Sequence, residues 1–263
     1  LFDSKSSFFK KTIMLLAEKF TKCVTDTIIV MNSEDYDISK KYKLYKNNLY
    51  YIKGMGINPS KFQPVSLEDK ILLRQKYSFN EDDFLLVYVA EFSKRKNQKF
   101  LLYSLKELME EGFTNIKLVL LGDGALLDEV KAYAKELNII NNVIFTGYTK
   151  DTCTYYQLSD ICVSSSRIEG LPFNIMEAMS VGLPVIATNV KGHSDLVVQN
   201  KNGFLFEYDN INEFCNYIKA VYNDKNLIQS MGNKNQELSK LYSLDTVLSE
   251  TMNIFYKENE SHL

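Results

Sequence analysis

Two acids eight residues apart, Glu169 and Glu177, bracket the stretch Gly-Leu-Pro-Phe-Asn-Ile-Met. A Gly-x-Pro that follows an apolar run marks a strand-to-helix junction. Pro172 fits the first helical position, and Gly182 fits the end of the helix. The backbone N–H groups of Phe173, Asn174 and Ile175 would then lack intrahelical partners and carry the positive end of the helix dipole, a ready place for a phosphate. An acid on each side can grip the hydroxyl groups of what the phosphate carries, such as sugars. The plainer reading is that Glu169 complements the dipole while Glu177 is an ordinary solvated helix residue.

A second junction points the same way. The apolar run at 84–90 is followed by Glu91-Phe-Ser-Lys-Arg-Lys-Asn-Gln, with Lys94, Arg95 and Lys96 at an expected helix amino terminus. Cations there cost about 0.3–1 kcal/mol each. Three of them fit a bound anion, or else a solvated basic patch. Leu121-Gly122-Asp123-Gly124 is a tight strand-to-helix turn without the full GxGxxG or GxxxxGK[ST] pattern. Only two histidines exist, His193 and His262, which argues against His-based triads and His-rich metal sites. His193 falls in a βα loop, where it either lines the site or serves the structure. Asp35-Tyr36-Asp37 has the Asp-x-Asp form of a metal site, yet it opens an expected helix, where acids are ordinary. No metal is expected.

The elements that must position these groups are legible from Phe84 onward. Apolar runs at 84–90, 117–122, 142–147, 160–166, 184–189 and 203–207 alternate with helical patterns, among them 97–111 and 126–139, and 211–259 has helical spacing throughout. Continuous apolar strands between helices mean a parallel sheet covered on both faces. Right-handed crossovers then give a doubly wound, Rossmann-like α/β domain. The first 60 residues hold only a helix at 8–22, a strand at 27–31, a second helix and a second strand. That is too little sheet to stand alone. Glycines and prolines between 53 and 64 punctuate a boundary.

The expected organisation is a remnant of a first domain over 1–60, a main domain over 61–242, and a carboxyl-terminal helix at 243–263 that packs back toward the first domain. The chain begins at Leu1 and shows no signal-peptide pattern. A fragment lacking most of its first domain is expected, able to bind its ligand without turnover. Hydrophobic residues at 45% and charged residues at 24% fit an ordinary globular protein. The net charge of −2 offers nothing global to nucleic acid. Four scattered cysteines without CxxC spacing suit a reducing cytoplasm. The lysines beside apolar residues at 8–22 either touch a membrane surface or pack against their own domain.

Through most of residues 50–245 the sequence resembles the retaining nucleotide-sugar glycosyltransferases of family 4, with the GT-B fold. EGLPFNIMEAMSVGLPVIAT matches that family's E-x7-E signature, and SKRKNQ its diphosphate-binding lysine loop; LGDG, FTGY and NGFLF match further landmarks in order. The resemblance implies sugar transfer from a nucleoside diphosphate sugar, UDP- or GDP-linked, to a glycan or lipid-linked hydroxyl acceptor in bacterial surface-polysaccharide assembly, with no separate cofactor. It implies that Glu177 binds the ribose hydroxyls, that Glu169 touches the donor sugar, and that Lys96 holds the diphosphate. Gly122 and Tyr148 would border the donor, Tyr148 at the nucleobase. Where many members have glycine-arginine this chain has Ala90-Glu91, so the arginine's role passes to Arg95. A GT-B epimerase and a non-catalytic sugar-nucleotide-binding module are the alternatives.

Overall fold

The structure is a computed structural model that describes residues 8–260. The chain forms two compact units: residues through Ile57 together with those from Leu241 on, and Asn58–Lys240. His262 lies outside the described residues.

In the first unit, α1 (Phe8–Thr21) is followed by β1 (Thr27–Val30), α2 (Ser33–Tyr42) and β2 (Asn48–Tyr51), and the two strands pair in parallel. Asn32 caps α2 by accepting from the Asp35 amide, 2.8 Å away, and its side-chain amide donates to the Asp35 carboxylate. The Asp35 carboxylate is thus engaged in starting a helix. The last helix of the chain, Leu244–Glu260, belongs to this unit. Its Glu258 accepts hydrogen bonds from Thr27, Asn48 and Tyr50, which ties it across both strands. Ile57 bridges to Ser243 beside it. Helix α1 exposes Phe9, Ile13, Leu16 and Phe20, which fall on one helical face. No helix among the described residues is long and apolar enough to cross a membrane.

The second unit opens with α3 (Leu67–Lys76), then β3 (Phe84–Val89), α4 (Gln98–Glu110), β4 (Ile116–Leu121), α5 (Leu127–Glu136) and β5 (Val143–Gly147). It continues through α6 (Thr152–Leu158), β6 (Ile161–Ser164), α7 (Phe173–Val181), β7 (Val185–Thr188), α8 (His193–Leu196), β8 (Gly203–Phe206), α9 (Ile211–Asn223) and α10 (Lys225–Ser239). All six strands are parallel, in the order β5-β4-β3-β6-β7-β8. The chain winds outward from β3 in one direction, then restarts at β6 and winds out in the other. Strand order therefore reverses between β3 and β6, and a crevice opens there at the carboxyl ends of the strands. Leu85, Leu86, Val87 and Tyr88 in β3 and all four residues of β6 are buried. Helices cover both faces, so these strands read as apolar runs without alternation.

Helix α3 has no counterpart among the sequence expectations. Its start is marked, since Ser66 accepts from the Asp69 amide at 3.0 Å. Its apolar pattern is broken, because Leu67 and Leu72 are exposed. What secures α3 is charge: Lys70 and Arg74, one turn apart, both reach Asp160 at the start of β6, at 2.8 and 2.6 Å. The helical stretch expected over 211–259 is divided into three helices. Asp224 caps α10 by accepting from the Asn226 and Leu227 amides, and residues 240–243 separate α10 from the last helix.

Candidate functional site

Two loops leave the sheet at the switch point. The loop after β3 carries residues 90–97, and the loop after β6 carries 165–172. Ser165 is fully buried and its hydroxyl donates to the carbonyls of Lys96 (2.9 Å) and Asn97 (3.0 Å). The Arg167 amide donates to the Arg95 carbonyl at 2.8 Å, and the Tyr88 hydroxyl reaches the Lys96 carbonyl at 3.2 Å and Ser166 at 2.7 Å. Residues some 70 positions apart in the chain are thereby clasped into one wall.

That clasp brings Lys96 against Glu169. Both are buried, 8% and 6% exposed, and the Lys96 ammonium pairs with Glu169 Oε1. Arg95 Nη1 lies 3.5 Å from Glu169 Oε2 and stays half exposed. Burial alone would raise the Glu169 pKa, but the charge and hydrogen bond of Lys96, with help from Ser166, hold it below the ordinary carboxylate value. The helix expected over 97–111 is observed as Gln98–Glu110; residues 94–96 form the turn that leads into it, and Asn97 between them lies in the left-handed region at φ 55°.

Helix α7 supplies the opposite wall. Pro172 caps it with extended backbone (ψ 123°) and Phe173 is its first residue, one position later than expected. Gly182 ends it at φ 91°, as the glycine predicts. The amides of Phe173 and Asn174 have no hydrogen-bond partner among the described residues. Ile175 differs. Its amide donates to Asn174 Oδ1 at 3.0 Å and its side chain is fully buried, so it is removed from the expected phosphate-binding set. Asn174 in turn donates to the Val89 carbonyl at 3.0 Å, which pins the helix start to the end of β3.

Glu177 lies one turn further on. Its carboxylate accepts from Tyr156 at 3.1 Å. Burial raises its pKa, and the Tyr156 hydrogen bond and the Lys61 charge oppose this only in part. The pKa values of the two acids flanking the helix start thus shift in opposite directions.

Between the walls lies a cleft of about 850 Å³. Arg95, Lys96, Gly122, Tyr148, Glu169, Phe173, Asn174 and Glu177 all line it; of the expected site residues, Ile175 does not. Lys61, Glu91, Asp123, Thr149, Lys150 and Thr152 also line it. The latter group, apart from Glu91 and Asp123, carries no sequence signal of its own, being ordinary loop residues. His193 belongs to the structure and not to the lining. It is fully buried, with Nδ1 2.8 Å from the Thr188 carbonyl, so Nδ1 bears the proton and Nε2 accepts from Ser164 at 3.2 Å. Burial lowers its pKa to about 4, and it stays neutral. Among the described residues no three His, Cys, Asp or Glu side chains are grouped to hold a metal ion.

Gly122 contributes by what it lacks. Its φ is 136°, and a Cβ there would fall on the Ala90 carbonyl, well inside van der Waals contact. Gly122→Ala is expected to cost roughly 1–3 kcal/mol of stability or more, because both the conformation and the close approach are denied. Urea unfolding checks this; an unchanged midpoint would mean that the two loops can separate freely.

A six-stranded doubly wound sheet with a polar cleft at its switch point is an α/β architecture that takes ligands at the carboxyl ends of its strands. The chain belongs to the glycosyl transferases group 1 family, whose family model matches residues 69–238. It is 33% identical to EpsD of Bacillus subtilis (strain 168) over 90% of this chain and 62% of that protein. It is 29% identical to the UDP-Gal:alpha-D-GlcNAc-diphosphoundecaprenol alpha-1,3-galactosyltransferase of Escherichia coli, over 85% of this chain and 58% of that one. The chain therefore spans about three fifths of the length of these relatives. The solved structure of Anabaena Alr3699/HepE in complex with UDP matches with a TM-score of 0.84 at 20% identity, covering 97% of this chain and 70% of that one. At such identity the likeness is one of fold, and that fold is GT-B.

Proposed function

We propose that this protein transfers a sugar from a nucleoside diphosphate sugar, with UDP or GDP as the nucleotide, to a hydroxyl of a glycan or lipid-linked glycan, retaining anomeric configuration. The proposed setting is bacterial surface-polysaccharide assembly at the cytoplasmic side of the membrane. One observation carries the reading: a single cleft is lined by Lys96 and Arg95, by Phe173 and Asn174 with their open amides, and by Glu169 and Glu177. In such a transfer, negative charge grows on the leaving diphosphate while the sugar becomes oxocarbenium-like. Cations and amides fixed in advance stabilise that charge where it develops. Lys96 and Arg95 would take the diphosphate with the α7 amides. Glu169, held ionised beside Lys96, would face the sugar, and Glu177 would accept from the ribose hydroxyls.

The test is calorimetric titration of the purified chain with UDP and GDP, with a thermal-shift screen across UDP-, GDP- and ADP-sugars. Binding by one nucleotide class is expected, and absence of any nucleotide binding would defeat the reading. With the acceptor supplied, product analysis by NMR separates retaining transfer from epimerisation. Positive charge comes from side chains in this reading, so nucleotide affinity is expected to be unchanged by EDTA. Loss of binding on chelation would return the Asp35 and Asp37 pair to consideration.

A further inference from the structure

Glu177 does not hold its own orientation. Its carboxylate lines the cleft, yet one oxygen is turned away from it, onto the hydroxyl of Tyr156. Tyr156 sits on α6, is fully buried, and packs edge-on against Phe62 with ring centroids 6.2 Å apart. Phe62 is itself anchored, since its carbonyl accepts from Ser180 of α7 at 2.8 Å. A buried phenol needs a partner for its O–H, and Glu177 is the one it has.

We propose that Tyr156 is a positioning residue for donor binding: its hydroxyl fixes Oε2 of Glu177 so that Oε1 faces the cleft, set for a nucleotide's ribose hydroxyls. The inference rests on the reading of the cleft as a sugar-nucleotide site. Burial drives the Tyr156 pKa well above the ordinary value, so it remains a neutral donor throughout the working range. Its hydrogen bond also favours the ionised form of Glu177, which burial disfavours. The other titratable groups around Glu177 are Cys153 on α6, Cys162 on β6 and Lys61. Burial raises the pKa of both thiols, so they are uncharged, and Lys61 is the cation.

The experiment is a double-mutant cycle with Tyr156→Phe and Glu177→Gln, titrated with UDP and GDP, with a melting curve on each variant. Tyr156→Phe keeps the ring and is expected to weaken nucleotide binding by about two- to tenfold, the worth of one net hydrogen bond. In the Glu177→Gln background the same change is expected to move affinity by less than about twofold, the two effects being coupled. Carboxyl NMR provides a readout independent of binding: the Glu177 pKa should rise in Tyr156→Phe, so that affinity begins to fall at a higher pH on acidification. Equal weakening in both backgrounds, or an unshifted Glu177 titration, would overturn the assignment and leave the hydroxyl as core packing. If Glu177→Gln alone leaves nucleotide affinity untouched, the donor-site reading fails and this inference falls with it. That outcome is distinguishable from the first two.

Discussion

Lys96→Ala is expected to lower the turnover of the active enzyme by about 10²–10³-fold, the effect of removing one fixed electrostatic donor from the charge that develops on the leaving group. The structure adds a second consequence. Lys96 is the ammonium paired with the buried Glu169, so its loss strands a carboxylate. Breaking a buried pair from one side costs about 3–5 kcal/mol when nothing replaces the partner. Arg95 at 3.5 Å, half exposed, offsets part of this.

The pH dependence has a definite sign. In the native protein the folded pKa of Glu169 is depressed, so its contribution to stability is present above the unfolded value and is lost as pH falls through the folded value. Without Lys96, burial dominates and the pKa rises. The gap in Tm between native protein and variant should therefore be widest near neutrality and narrow on acidification through the carboxylate range. Kinetics and melting curves at several pH values check both parts. Turnover within a few-fold of the native rate would remove Lys96 from the chemistry, and a gap in Tm independent of pH would remove the ion pair from the stability account.

Glu177→Ala is expected to weaken nucleotide binding by roughly 10- to 150-fold, since a hydrogen bond to a charged group is worth about 1.5–3 kcal/mol. Glu169→Ala should leave affinity for the free nucleotide nearly intact and impair transfer, because its proposed contact is with the sugar. Equal losses of nucleotide affinity in the two variants would sink this division of roles. Stability separates the acids as well. The Glu177 pKa is raised by burial, so its favourable contribution exists below the unfolded value and is lost as pH rises through the folded one. At neutral pH the charged form costs stability. Glu177→Gln is thus expected to melt no lower than the native protein near pH 7, whereas Glu169→Gln should melt lower. A functional acid kept at some cost to stability is a common trade.

Much of this was legible from one chain of residues. Strands buried on both faces must be apolar throughout, so the inner strands β3, β4, β6 and β7 announced themselves, and with them the parallel, doubly wound sheet. Gly182 announced the end of α7 because only a residue without a Cβ adopts φ 91° at no strain. The pairing of a basic loop with an acid-flanked helix start was visible as types and spacing, and so was the place of both at strand ends. Helix α3 was not visible, because its anchor is an ion-pair set with Asp160, some 85–90 residues away, and not an apolar stripe.

Three matters belonged to the tertiary structure alone. Local sequence offers Ile175 as a third open amide, but the Asn174 side chain, fixed to Val89, takes it up. His193 looks equally suited to a site or a core until Thr188 and Ser164 close around both ring nitrogens. Glu169 and Glu177 are the same residue type with the same apparent purpose, yet their pKa values move in opposite directions. Residue type sets what a carboxylate can do, while burial and the nearest charge set which form it takes. Those depend on neighbours such as Lys96 and Tyr156, which only the folding of separate loops and helices brings within reach.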